Sequence, residues 1–245
     1  MKAKELTICG LAAVRARFQA DAASIMRLYF DHATGRKIGL MCKALAAARK
    51  IYRCVEPAEL EKIAGTVHHG GIVAVVAAAE LREPSPAAIA DWAQHRGPVL
   101  VLDRIGNAHN LGALARTAAF FGVAHLIISA DAQSARPNDA AFRVAEGGLE
   151  KITVWQAHDL VKFIGALRTA GYTVVAAATR GGRPEAAVKR GEPMALVLGN
   201  EEHGLAPAIT AACTRAVTIP GSGAVESLNV SVAGAVLMWE LIGRK

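Results

Sequence analysis

The stretch Ala195-Leu196-Val197-Leu198-Gly199-Asn200-Glu201-Glu202-His203-Gly204-Leu205 runs from an unbroken apolar segment straight into glycine and polar residues. A short continuous apolar run of this kind suits a strand buried on both faces, as in a parallel sheet. Gly199 then lets the backbone approach a ligand closely, and Gly204 permits a second turn. Glu202 and His203 read equally well as solvated loop residues. A strand-to-turn signal explains the glycines, but it gives no reason for the adjacent Asn200-Glu201 pair.

Outward from this stretch the same rhythm of apolar strand, loop and helix repeats. Strand candidates fall at 99–103, 125–129, 152–155, 172–178, 195–199 and 216–220, with helices between them at 110–121, 158–170 and 205–212 and a last one at 227–241. Double-sided apolar strands alternating with helices predict an α/β fold, a parallel sheet covered on both faces. Ligands of such sheets bind beyond the carboxyl ends of the strands, which directs attention to the loops after 178, 199 and 220.

The preceding residues form a separate α/β module over 1–79. It has a helix within Arg36–Lys50, a strand at 51–55, a helix opened by Pro57 and closed by Gly65, and an apolar strand from Ile72. Segment 80–97, with Pro84, Pro86 and five charges, reads as an exposed linker around a short helix near 86–95. The expected domains are therefore 1–79, a linker at 80–97, and 98–245.

Composition bounds the function. Apolar residues make up 53% of the chain, so it folds. Its longest apolar runs are strand-sized, below the roughly 18–20 residues of a membrane span. The opening MKAKELTICG lacks the apolar centre of a secretory signal, so a cytoplasmic protein with no membrane partner is expected. Cys9, Cys42, Cys54 and Cys213 form no C-x-x-C pair and read as reduced core thiols. His68 and His69 lack further ligands at a zinc spacing, so no metal is expected.

The net charge is +7, and residues 1–54 concentrate it, with 11 Lys/Arg against 3 Asp/Glu. Such a local surplus suits a polyanion-binding surface, though a merely soluble basic face would look the same. No G-x-G-x-x-G follows a strand and no G-x-x-x-x-G-K-[ST] occurs, which argues against an NAD- or ATP-dependent enzyme.

Three loops carry candidate chemistry: Asn110–Arg116, Leu196–Leu205 and Ile219–Ala233. Asn110 reads as a helix N-cap with Arg116 within long-side-chain reach of the same junction, and Ser227 reads as the cap of the last helix. Singly, each loop is explained by capping and turns. Together, and in this order, they resemble the three signature motifs of the SpoU/TrmH family of SPOUT methyltransferases. The resemblance covers nearly all of 98–245, including F-G-V (121–123) and A-E-G-G (145–148). Residues 1–79, with I-C-G-L-A-A-V near the start and H-H-G-G-I near the end, resemble the family's L30e-like RNA-binding domain.

The resemblance implies a deep trefoil knot, S-adenosylmethionine as cofactor, RNA rather than DNA as partner, and a homodimer whose active site draws on both subunits. The last helix, with Trp239, could pack at that interface, although any amphipathic helix buries such residues. Thr179, Leu198, Gly199, Asn200, Ile219, Pro220 and Leu228 would bind the cofactor. Arg116, Asn110, Glu201, Ser227 and Asn229 would be catalytic. In this reading Asn110 and Asn229 position substrate, Glu201 orients Arg116 and Ser227 takes part by hydrogen bonding. Arg116 is the family's general base, yet a guanidinium with a pKa above about 12 is better suited to holding a phosphate or developing alkoxide charge. His109 and His203 flank two motifs without belonging to them. The implied reaction is ribose 2′-O-methylation, with a guanosine of large-subunit rRNA as the expected target. Alternatives are a tRNA ribose, and a non-catalytic knotted RNA-binding protein.

Overall fold

The computed structural model describes residues 5–179 and 192–243, and two sheets hold the ten strands found among them. The first half contains β1 (Glu5–Cys9), α1 (Leu11–Asp21), β2 (Ile25–Phe30), α2 (His32–Gly35), α3 (Gly39–Ala47), β3 (Ile51–Cys54), α4 (Pro57–Ala64) and β4 (Ile72–Ala77). Its strand order is β1-β4-β2-β3. β4 pairs antiparallel with both β1 and β2, and its residues Ile72 to Val76 are all buried, as the apolar run there requires.

The predicted start and stop of α4 are present: Pro57 lies in its first turn and Gly65 ends it in the left-handed conformation, φ 65°. The helix expected within 36–50 is shorter, because Arg49 turns back with φ 55°. The core-thiol expectation holds for Cys9 and Cys213, whose burial pushes each thiol up to about 11. It fails for Cys54, exposed on the edge strand β3.

The linker is also different from the expectation. Its helix α5 (Pro86–Gln94) is capped by Ser85, but Ile89 and Trp92 are buried against the second sheet. Spacing of i and i+3 puts both on one helical face, and Trp92 stacks on His125 with ring centroids 4.1 Å apart. Proline and charge mark the ends of this segment correctly; they hide the apolar face between them.

The second half runs β5 (Val99–Leu102), α6 (Ala108–Phe120), β6 (His125–Ser129), α7 (Asp139–Ala145), β7 (Thr153–Ala157), α8 (Leu160–Thr169), β8 (Thr173–Ala177), β9 (Met194–Leu198), α9 (Pro207–Ala212), β10 (Arg215–Val217) and α10 (Val230–Met238). The chain continues from α10 into a π-helical turn, Trp239–Gly243. The order is β10-β8-β9-β5-β6-β7 and every pairing is parallel, as predicted. Strand alternation sorts the core: Val99, Val101, Val174 and Val197 meet α5, α8 and α9, whereas Leu100, Leu102, Leu196 and Leu198 belong to the core shared with α6, α7 and α10.

Helix α7 and the following 3₁₀ turn Gly148–Glu150 join the two halves. The Thr7 N–H and hydroxyl donate to the Asp139 carboxylate at 3.0 and 2.5 Å. Arg17 of α1 pairs with buried Glu150 at 2.9 Å, and the other carboxylate oxygen, Oε1, is buried without a hydrogen-bond partner among the described residues. Burial raises the Glu150 pKa, against the attraction of Arg17. One apolar cluster runs from Ile8 and Val14 through Leu114 to Leu241.

Arg17→Ala strands a buried carboxylate and is expected to cost about 3 kcal/mol. A carboxyl with a raised folded pKa holds its proton more tightly when folded, so stability is present at low pH and lost as pH rises through that value. Urea unfolding of Arg17→Ala should therefore show a larger loss at pH 8 than at pH 5. Equal losses at the two pH values would contradict this account.

Candidate functional site

Strands β8, β9 and β10 end at the same edge of the sheet, and the loops leaving them enclose a cleft of about 680 Å³. Small-molecule sites span roughly 300–1,000 Å³. Thr179, Leu198, Gly199, Asn200, Ile219, Pro220 and Leu228 all line this cleft, as do Glu201 and Ser227. Its third wall is α10, through Val230, Ala233 and Leu237.

The loop after β9 is shaped by a close backbone crossing. A Cβ on Gly199 would overlap the backbone of Gly204 and Leu205. Asn200 fixes the turn with its whole carboxamide: Nδ2 donates to the Arg104 carbonyl at 2.8 Å, and Oδ1 accepts from the N–H groups of Glu202 and His203 at 2.9 and 3.1 Å. Behind it, buried Asp103 at the end of β5 accepts from Arg104 Nε at 3.0 Å and from the Ala206 N–H at 3.3 Å. The Asn of the unexplained Asn-Glu pair is thus a loop staple. Its neighbour Glu201 faces the cleft.

At the rim a hydrogen-bonded chain joins the three motif loops. Asn229 Nδ2 donates to Asn110 Oδ1 at 3.2 Å, and Asn110 Nδ2 donates to Glu201 Oε1 at 2.6 Å. Asn229 Oδ1 in turn accepts from the Ser231 N–H and hydroxyl at 2.9 and 2.6 Å. Asn229 caps α10, so the last helix starts three residues later than expected, and Ser227 and Leu228 stay in the exposed loop before it. The cap of α6 is likewise Asn107, not Asn110, which lies in the first turn. Being freed from capping, the Asn110 side chain can reach across to Glu201.

Arg116 departs most from the expectation. Six residues along a helix is about 9 Å up the axis and about 120° round it. Asn110 faces Glu201 and α10, whereas Arg116 lies beside the end of α7, paired with Glu146 at 3.1 Å and more than half exposed. Within one copy Glu201 therefore bonds Asn110, and Arg116 bonds Glu146. Glu146 lies in A-E-G-G at 145–148, and nothing local in the sequence signals a partner 30 residues away. His203 lines the cleft; His109 sits exposed on α6; buried His69 accepts from the Gly71 N–H at 3.1 Å. No group of three or more potential metal ligands occurs among the described residues.

A parallel sheet with glycine-bearing loops around a cleft at its strand ends is the arrangement in which α/β proteins take small-molecule ligands. Sequence comparison makes the class specific: the SpoU rRNA Methylase family matches residues 97–239, and the chain belongs to that family. Residues 7–82 match the family described as RNA 2′-O ribose methyltransferase substrate binding. An Escherichia coli O157:H7 protein named as the uncharacterized tRNA/rRNA methyltransferase YfiF is 34% identical over 98% of this chain and 68% of its own length. The 23S rRNA (guanosine-2′-O-)-methyltransferase RlmB of Ralstonia nicotianae is 32% identical over 99% of this chain and 97% of its own. Among solved structures, the AdoMet-bound rRNA methyltransferase of Sinorhizobium meliloti superposes with a TM-score of 0.81 at 21% identity, covering 96% of this chain and 86% of that one, a likeness of fold.

Gly199→Ala forces the crossing apart and is expected to cost about 3 kcal/mol, like other overpacked substitutions. Thermal unfolding monitored by circular dichroism should show a melting temperature several degrees lower. An unchanged melting temperature would show that the loop can yield.

Proposed function

We propose that this chain transfers the methyl group of S-adenosylmethionine to a ribose 2′-hydroxyl in RNA, with a guanosine of 23S rRNA as the target and a tRNA ribose as the second reading. The observation that carries it is the cleft beyond β8, β9 and β10, lined by every residue expected to bind the cofactor, with the Asn229–Asn110–Glu201 chain at its rim. The names of the relatives favour rRNA. Residues 1–79 would hold the RNA with their excess of positive charge, 80–97 would connect, and 98–245 would carry the chemistry.

The cleft fits the cofactor on its own chemistry. The strand ends present backbone N–H and C=O groups, Leu198, Ile219 and Leu228 supply apolar surface, and the Gly199 crossing fixes the loop that forms the wall. When bound, the cofactor supplies an electrophilic methyl for in-line displacement. The chain's own task is to hold the 2′-hydroxyl in line and to steady charge as its proton leaves. Asn110 and Asn229 are fixed by their mutual bond and by Glu201, so their remaining polar capacity is pre-aligned for a ribose. Ser227, on the exposed loop, adds a hydroxyl.

Arg116 would act in the cleft of a second copy, since it does not line its own. The homodimer is supported by an exposed apolar stripe on the last helix, Val232, Val236 and Trp239 at helical spacing, with Phe120 and Leu228 also exposed. The implied trefoil knot would set the loops after β9 and β10 through one another, consistent with the bracing of the Gly199 crossing. The same reading places the protein in the cytoplasm with its RNA; among the described residues no helix is long and apolar enough to cross a membrane.

Incubation with methyl-labelled cofactor and either ribosomal RNA or tRNA should label a ribose in 23S rRNA. Tight RNA binding with no transfer to any RNA would favour the non-catalytic alternative instead. Arg116→Ala should lower kcat on the order of 100-fold, while calorimetric binding of the cofactor is kept; full methylation by that variant would end its proposed role. Val236→Glu buries a charge at the proposed interface and should run as a monomer in sedimentation. A dimer that survives this change would place the interface elsewhere.

A further inference from the structure

The carboxylate nearest Arg116 belongs to Glu146, and the backbone around it is built in an unusual way. Glu146 follows the last residue of α7 with φ 44° and ψ 42°, a left-handed position that glycine or asparagine fills most easily. Glycine is available one residue later: Gly147 is itself left-handed at φ 92°. The strained position thus holds a long acidic side chain where a residue with none would be more relaxed.

The surroundings fix the backbone from which this side chain reaches Arg116. A Cβ on Gly148 would lie 2.7 Å from the Arg116 Cα, so the turn after Glu146 packs directly on the backbone of the residue that Glu146 binds. Gly112, one turn earlier on α6, gives α7 the same close approach: a Cβ there would lie 2.5 Å from the Ala141 carbonyl oxygen. From the far side α1 closes the arrangement, with Ala16 against Gly147 and Arg17 on Glu150. Three glycine contacts and the Arg17–Glu150 ion pair therefore set the backbone position from which Glu146 reaches Arg116.

The geometry points to Glu146 as the positioning residue of Arg116, holding its guanidinium in the orientation in which it meets the substrate. An exposed ion pair contributes little to folding stability, so its value lies in reducing the rotamers of a long side chain before RNA arrives. The inference rests on the proposed methyl transfer.

The test uses the full-length protein with Glu146→Gly and Glu146→Gln. Glu146→Gly relieves the left-handed backbone and should not lower the melting temperature, yet kcat should fall about tenfold with the KM for S-adenosylmethionine unchanged. Glu146→Gln keeps length and an acceptor oxygen and should fall in between. A merely structural residue would show the reverse, a lower melting temperature with kcat retained, and a masking residue would show a lower KM for RNA; either overturns the inference. A second measurement needs no turnover and so separates this inference from the function it rests on. The ¹⁵N relaxation of the Arg116 Nε–H in the free protein should report an ordered side chain that becomes mobile in Glu146→Gly. Equal mobility in both proteins would overturn the positioning role even if wild-type methylation is found.

Discussion

Between Gly199 and the Gly204–Leu205 peptide there is no room for one more carbon atom, and the C-terminal edge of the sheet is arranged around that contact. Because the chain leaving β9 turns back onto itself there, Glu201 is thrown forward into the cleft while Asn200 is turned inward onto Arg104. Buried Asp103 holds the far side of the same turn through the Ala206 N–H. Loosening the crossing would release the cleft wall and, with it, the acceptor for Asn110.

The rim chain shows how little side-chain chemistry is needed once backbones are fixed. Two asparagines and one glutamate, from three loops far apart in sequence, satisfy one another in a line that ends on a carboxylate. A network of this kind rigidifies its members when every partner is present. Its anchor is an ordinary helix cap, Asn229, which accepts from Ser231 and still has its amide free to donate to Asn110. One residue thereby ties the start of α10 to the start of α6.

The sheet was legible in the sequence because its inner strands are apolar on both faces: β5, β6, β8 and β9 each lie within or beside the segment expected for them, and the edge strands β7 and β10 overlap theirs. The cleft was legible for the same reason, since parallel strands put their ligand loops at one end. What the sequence hid was long-range or masked by composition. The apolar face of α5 is hidden among prolines and charges, and α7 is too short and too alanine-rich to show a clear period. The caps Asn107 and Asn229 lie two or three residues from the positions the sequence suggests, because several polar residues cluster at each helix start and only geometry selects among them. Helical spacing also separates Asn110 from Arg116 in angle, and linear proximity conceals that.

The apolar cluster that runs unbroken from Val14 to Leu241, reinforced by the Thr7–Asp139 and Arg17–Glu150 contacts, means the first half is not a tethered arm. A tether would let its cargo wander, and specificity would then rest on the cleft alone. Here the two sheets share one packed core, so an RNA held by the first half, as proposed, would meet the second across a spacing set by the fold. An RNA could then satisfy the first contact and still be refused, simply by being the wrong size between the two.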